Sequence, residues 1–302
     1  MLKSPWTLCS RVHPLNHFPK QCFVKREDEL SCGVSGSKLR KYASLLPILL
    51  DRKVKRLLVI AGAQSNNLLA AVQLAREYRL NITALLLKPW CINYTGNYAL
   101  SRLFLDETDI VWIERKDWPD IRGIAEKIAR ENSEPCFILD EGASVAEALE
   151  GAMTLADDIL RNEQHMGIQF QHIFIDAGTG FSAMAMAHRL QQLGHDAMVH
   201  VLLLADKESK FYERVLSLLP TIPKNIKSFS PSTAKAFGAV NQSIKSEIKR
   251  VAREEGILLD PIYSAKLFYT VRRKIAEEAL KGNKLLIHSG GILSLTGFDL
   301  RK

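Results

Sequence analysis

The chain has 302 residues, 47% of them hydrophobic and 25% charged, a soluble globular composition with room for two ordinary domains that excludes a disordered or fibrous protein. Its net charge of +8 is spread along the chain. The densest basic group, Arg272-Arg273-Lys274, is followed by Glu277 and Glu278, so no nucleic acid is expected as a partner, while an anionic small ligand suits the charge.

In chain order, Met1 to Lys20 contains Pro5, Pro14 and Pro19 and no continuous apolar core, so it does not read as a secretory leader. From about residue 38 onward, short apolar runs alternate with helical patterns. Arg56–Ala61 is predicted as a buried strand, then the turn Gly62-Ala63-Gln64-Ser65-Asn66-Asn67 and a helix through Arg79. Asn81–Leu87 is a strand, Gly96–Leu105 a helix, Ile110–Ile113 a strand, Trp118–Asn132 an amphipathic helix and Cys136–Leu139 a strand. Ser144–Asn162 is predicted as one long helix and His172–Asp176 as a strand. The turn Ala177-Gly178-Thr179-Gly180 leads to a helix over Ser182–Leu193, and Val199–Leu204 and Lys284–His288 are further strands. Pro220–Phe237, with three prolines, reads as an irregular excursion. Apolar strands separated by helices make a parallel sheet with crossovers, so the class is α/β.

No apolar run reaches the roughly 18 residues that span a bilayer, so no membrane partner is expected. The five cysteines, Cys9, Cys22, Cys32, Cys91 and Cys136, are scattered without zinc-ligand spacing. No metal site is expected, and a reducing cytoplasmic compartment fits best.

Two strand–helix turns carry chemistry. In an open α/β sheet they sit at the carboxyl edge, where a helix N-terminus offers unpaired N–H groups to an anion. Gly178-Thr179-Gly180-Phe181-Ser182 supplies close backbone approach and two hydroxyls, as a phosphate needs, but lacks the third glycine of a dinucleotide loop. Ser65, Asn66 and Asn67 open a helix, where a cap requires only one such residue.

Taken together and in this order, the segments resemble the family of 1-aminocyclopropane-1-carboxylate deaminases and D-cysteine desulfhydrases. The lysine segment is Ser35-Gly36-Ser37-Lys38-Leu39-Arg40-Lys41, preceded by Lys25-Arg26-Glu27-Asp28. Gln64-Ser65-Asn66, Gly96-Asn97 through Arg102-Leu103, Glu141-Gly142-Ala143-Ser144, Leu259-Asp260-Pro261-Ile262-Tyr263-Ser264-Ala265-Lys266 and Ile287-His288-Ser289-Gly290-Gly291 are similar to further family segments.

The resemblance implies a tryptophan-synthase-β-like fold of two αβα domains with mainly parallel sheets and pyridoxal phosphate between them. It divides the chain into a large cofactor domain (1–41 and 155–302) and a smaller substrate-side domain (42–154), and implies a homodimer. Lys38 would bind the cofactor as a Schiff base, Gly178, Thr179, Gly180 and Ser182 its phosphate, and Asn66 its 3′-hydroxyl. Ser65 and Asn67 would receive the carboxylate of a small amino-acid substrate. Tyr263 would face the substrate, and either Lys38 or Tyr263 would be the base.

Ser264 and Ser289 stand where the family's deaminases carry Glu and Leu and its desulfhydrases carry small hydroxyl residues. A hydroxyl at the ring nitrogen makes a weaker electron sink than a carboxylate, which favours D-cysteine elimination over cyclopropane opening. Three departures stand out: Ser37 for Asn, Phe181 in the phosphate turn, and Phe237-Gly238-Ala239-Val240-Asn241 in place of a turn with a second tyrosine. They leave open a D-serine-type or cyclopropane deaminase, or a protein that binds the cofactor without catalysis.

Overall fold

A computed structural model describes residues 5–30 and 36–300. Ser35 and Cys32 lie outside the described residues, as do residues 1–4 of the segment read above for a leader.

The strands are β1 (Val12–Pro14), β2 (Cys22–Arg26), β3 (Arg56–Gly62), β4 (Asn81–Leu87), β5 (Ile110–Ile113), β6 (Cys136–Leu139), β7 (His172–Ala177), β8 (Met198–Leu203), β9 (Ile226–Phe229) and β10 (Lys284–His288). The helices are α1 (Ser37–Asp51), α2 (Asn66–Glu77), α3 (Gly96–Ser101), α4 (Ile121–Glu131), α5 (Leu149–Met166), α6 (Phe181–Gln192), α7 (Glu208–Leu218), α8 (Gln242–Glu255) and α9 (Ser264–Glu278).

The strands form two sheets, ordered β1-β2-β10-β7-β8-β9 and β5-β4-β3-β6. Every pairing is parallel except β1 with β2. Leu57 through Ala61 are all buried, as a strand covered on both faces requires.

Four sequence expectations are corrected. The long helix begins at Leu149 rather than Ser144, because Gly142 and Ala143 take positive φ and Val145 is extended. The helix from Gly96 ends at Ser101. The proline-rich stretch contains β9, an edge strand of the larger sheet whose prolines flank it, where no ladder N–H is lost. The segment to Lys20, read only for a leader, supplies β1, and β2 follows directly after it.

Helix α1 is oriented by a buried ionic network. The Arg40 guanidinium donates to both carboxylate oxygens of Glu27 (2.6 and 2.7 Å) and to Asp158 on α5 (2.7 Å). Lys25 Nζ donates to Asp158 (2.7 Å) and Asn162 (2.6 Å), and Ser10 Oγ donates to Glu27 (2.6 Å). Burial works to raise both carboxyls, but Arg40 and Lys25 outweigh it and hold Glu27 and Asp158 below the ordinary carboxylate range. Ser37 N–H donates to Ser289 O (3.1 Å), and directly ahead of it Gly36 has φ of +72°. A Cβ at Gly36 would lie 1.7 Å from Ser289 O, so only glycine lets the start of α1 meet the end of β10.

Candidate active site

The carboxyl ends of β3, β7 and β10 and the N-termini of α1, α2 and α6 surround a cavity of about 400 Å³. Lys38, Ser65, Asn66, Asn67, Gly178, Thr179, Gly180, Ser182, Tyr263 and Ser289 all line it. These positions are far apart in sequence and are brought together by the parallel topology.

Lys38 lies in the first turn of α1 and is partly buried. Burial lowers its amine pKa, against the charges of Asp176 and Asp260, and so favours the uncharged nucleophilic form. Lys41, one helical turn on, is fully buried and lies 4.6 Å over the Phe181 ring, with Nζ donating to Gly142 O (2.6 Å). Phe181, an oddity in the sequence, is thus a buried ring packed beneath the Lys41 amine beside the glycine turn. Gly180 caps α6 at φ +80°, where a Cβ would fall 2.4 Å from the Phe211 ring. Ser144 Oγ donates to Thr179 Oγ1 (2.9 Å), which links the Glu141–Ser144 segment to the phosphate turn.

At the start of α2, Ser65 Oγ accepts the N–H groups of Asn67 (3.1 Å) and Leu68 (3.4 Å) and keeps its own hydrogen for a ligand. Asn67 Oδ1 accepts from Tyr42 Oη (3.1 Å), and its buried Nδ2 has no hydrogen-bond partner among the described residues. A buried donor of that kind costs stability unless a ligand oxygen meets it. Asn97 Nδ2 donates to Asn66 Oδ1 (2.6 Å) and Gln64 O (3.2 Å), so the Gly96-Asn97 segment aligns the Gln64–Asn66 turn and leaves Asn66 with amide hydrogens to offer.

Tyr263 stands against the phosphate turn, its Oη 3.3 Å from where a Cβ on Gly178 would be. Burial, then the charges of Asp260 and Asp176, raise its pKa, which keeps it a proton-bearing phenol. Phe237 also lines the cavity, its ring edge-on to Tyr263 at 6.1 Å, an aromatic without a hydroxyl.

Ser264 is a correction. It is wholly buried and absent from the cavity wall. Its Oγ donates to Asp260 Oδ2 (2.8 Å) and accepts from Asp260 N–H (2.8 Å), so the turn ahead of α9 consumes the hydroxyl. Ser289 does line the cavity, and it is not alone: its Oγ donates to Asp176 Oδ1 (2.8 Å) at the end of β7. The comparison of hydroxyl with carboxylate drawn from the sequence therefore loses its premise, because a carboxylate backs the hydroxyl. Asp176, Lys41 and Asn97 were not singled out from the sequence; an acidic residue ending a buried strand just ahead of a glycine turn is the signal that marks the first.

Burial, then the Asp260 charge, push the Asp176 carboxyl up to about 7. Its folded value exceeds the unfolded one, so the penalty of ionising it in the fold is absent below about pH 4, grows to pH 7 and is constant above. Asp176→Asn is therefore expected to stabilise the cofactor-free protein relative to the parent by an amount that grows from pH 4 to 7. The bound is about 4 kcal/mol, less where water reaches the carboxylate. Thermal melts of both proteins across that range check it, and a pH-independent difference sinks it.

The residues fit pyridoxal phosphate: a half-buried amine for an aldehyde, a glycine turn at a helix N-terminus with a buried lysine for a phosphate, and an aligned amide for a ring oxygen. The two-sheet α/β architecture with its cavity at the strand ends is that of a cofactor-dependent enzyme. The model of the family described as "Pyridoxal-phosphate dependent enzyme" matches residues 5–290, and the chain belongs to that family. It is 27% identical over 298 residues, 91% of this chain and 73% of the relative, to the mitochondrial bifunctional D-cysteine desulfhydrase/1-aminocyclopropane-1-carboxylate deaminase of Arabidopsis thaliana. It is 24% identical to the D-cysteine desulfhydrase of Serratia proteamaculans, over 94% of this chain and 90% of the relative. Among solved structures, an ACC deaminase homologue superposes with a TM-score of 0.82 at 20% identity, covering 98% of this chain and 94% of that one. The tryptophan-synthase-β-like fold expected from the sequence is the fold found. No helix among the described residues is long and apolar enough to cross a membrane.

Proposed function

We propose that the chain is a pyridoxal-phosphate-dependent lyase that carries out α,β-elimination on a small amino acid, D-cysteine foremost. One D-cysteine and one water yield pyruvate, ammonia and hydrogen sulfide. The observation that carries the reading is the unpartnered Asn67 Nδ2, which with Ser65 Oγ at the start of α2 offers donors to a carboxylate in the cavity that Lys38 also lines.

In this reading Lys38 holds the cofactor, with Gly178, Thr179, Gly180, Ser182 and Lys41 on the phosphate and Asn66 on the 3′-oxygen. The bound cofactor supplies the electron sink for charge developing at Cα. Lys38 Nζ, whose pKa burial lowers, takes the Cα proton, and Tyr263 Oη, whose pKa burial raises, gives one to the departing thiolate. Ser65 and Asn67 fix the substrate carboxylate. The scattered cysteines support a cytoplasmic compartment and the family resemblance a homodimer, with 1–41 and 155–302 as the cofactor domain and 42–154 on the substrate side.

Tyr263→Phe is expected to lower kcat for D-cysteine about 10²-fold while cofactor uptake is unchanged. Sulfide and pyruvate release beside a visible spectrum of the reconstituted protein measure both. A parent chain that takes up cofactor yet releases nothing from D-cysteine, L-cysteine, D-serine or 1-aminocyclopropane-1-carboxylate overturns the reading in favour of binding without catalysis. Asp176 favours a second reading, cyclopropane ring opening, because a carboxylate near the ring nitrogen supports the deeper sink which that reaction demands.

A further inference from the structure

We propose that Asp176, acting through Ser289, keeps the ring nitrogen of the bound cofactor protonated. The inference rests on the reading that this cavity takes pyridoxal phosphate. In that molecule the hydroxyl, aldehyde and phosphomethyl groups occupy three consecutive ring carbons, and the nitrogen lies opposite the aldehyde. Asn66, Lys38 and the Gly178–Ser182 turn answer to those three groups, so the nitrogen faces a part of the wall that none of them supplies. Ser37, Gln64 and Ser294 of the wall are uncharged. Of its other acidic residues, Glu141 opens the segment that Ser144 ties to Thr179 of the phosphate turn, and Asp206 ahead of α7 is paired with Lys210 and Arg214. Asp176 and Ser289 sit at the strand ends of β7 and β10, neighbours in the larger sheet, between the phosphate turn and the start of α1.

A serine hydroxyl has one hydrogen. That of Ser289 is given to Asp176 Oδ1 at 2.8 Å, which leaves Oγ only lone pairs to show the cavity. A ring nitrogen meets a lone pair favourably when it carries N–H, and unfavourably when it carries a lone pair of its own. The ionised Asp176 thus selects the protonated ring. The charged and titratable groups that act on Asp176 come from three elements: Lys38 on α1, Ser289 after β10, and Asp260 with Tyr263 in the turn ahead of α9. Asp260 is already occupied by the N–H groups of Ile262, Tyr263 and Ser264 and by Ser264 Oγ, so it is not the acceptor for Ser289. Proton balance is simple. A neutral Asp176 gives its hydrogen to Ser289 Oγ, Ser289 gives its own to the ring nitrogen, and the serine is unchanged.

The test is the nitrogen-15 chemical shift of ring-labelled pyridoxal phosphate bound to the full chain at pH 8. The parent is expected to show a pyridinium signal. Asp176→Asn is expected to move it across the full separation to the neutral-pyridine position, and Ser289→Ala to move it the same way. A neutral nitrogen in the parent overturns the inference with no variant needed. So does a pyridinium signal that survives Asp176→Asn, while one that survives Ser289→Ala alone overturns the part given to the serine. A chain that binds no cofactor overturns the functional reading and this inference together, whereas a bound cofactor with a neutral ring overturns this inference only.

Discussion

Replacing Lys38 by alanine is expected to lower D-cysteine turnover at least about 10³-fold and to abolish the covalent attachment of cofactor, while the protein still folds. The expectation follows from where Lys38 stands. It lies in the first turn of α1, lines the cavity and takes no part in the ionic network that anchors that helix two residues later. The nearest amine, Lys41, is held by Gly142 O and the Phe181 ring and is not placed to take over. Steady-state sulfide release, the visible spectrum and a far-ultraviolet check of folding measure the three parts. A Lys38→Ala protein with activity within tenfold of the parent would remove Lys38 from the mechanism.

Arg40→Ala is expected to destabilise the protein by roughly 3–5 kcal/mol, the range for breaking a buried ion pair on one side. The loss leaves the buried Glu27 with only Ser10 Oγ and a distant Lys25 (4.0 Å), and Asp158 with Lys25 and Arg161. The sign of its pH dependence opposes that of Asp176. Glu27 and Asp158 have folded values below the ordinary carboxyl range, so their contribution is complete at neutral pH and is lost as acid is added through those lowered values. Denaturant unfolding at pH 7 and pH 3 checks both claims: the gap between parent and variant should be wide at the first and narrowed at the second. A gap below about 1 kcal/mol at pH 7 would show the network to be replaceable.

The sequence was most legible where one segment carried its whole signal. Continuous apolar runs such as Leu57–Ala61 can only be covered strands, and β4, β5, β6 and β10 begin and end where the sequence reading put them. The glycine turn and the Ser65–Asn67 helix start likewise declared themselves, because unusual residues crowd a short space. What was illegible depended on partners remote in the chain. Whether Ser264 or Ser289 faces the cavity is decided by who takes each hydroxyl, and Asp176 lies 113 residues from Ser289. Strand β2 carries two charged residues, Lys25 and Arg26, that no alternation rule places inside. Lys25 is buried against Asp158, from a remote part of the chain, and Arg26 against Asp28.

The contact between Gly36 and Ser289 also sets a timetable. Cys22 pairs with Lys284 and Arg26 with His288, so β2 reaches its place in the larger sheet only when the last strand has been made. During synthesis the segment bearing Lys38 emerges early and waits for its neighbour. Until then β7 lacks a partner on one side and β2 offers an open edge, the kind of surface on which chains join one another rather than themselves. Closure of so distant a pair is slow by its nature, since the entropy of the whole intervening loop is lost before any contact rewards it. The cavity is therefore among the last parts of the molecule to exist, and a chain cut short before residue 284 carries the lysine without the strand it leans on.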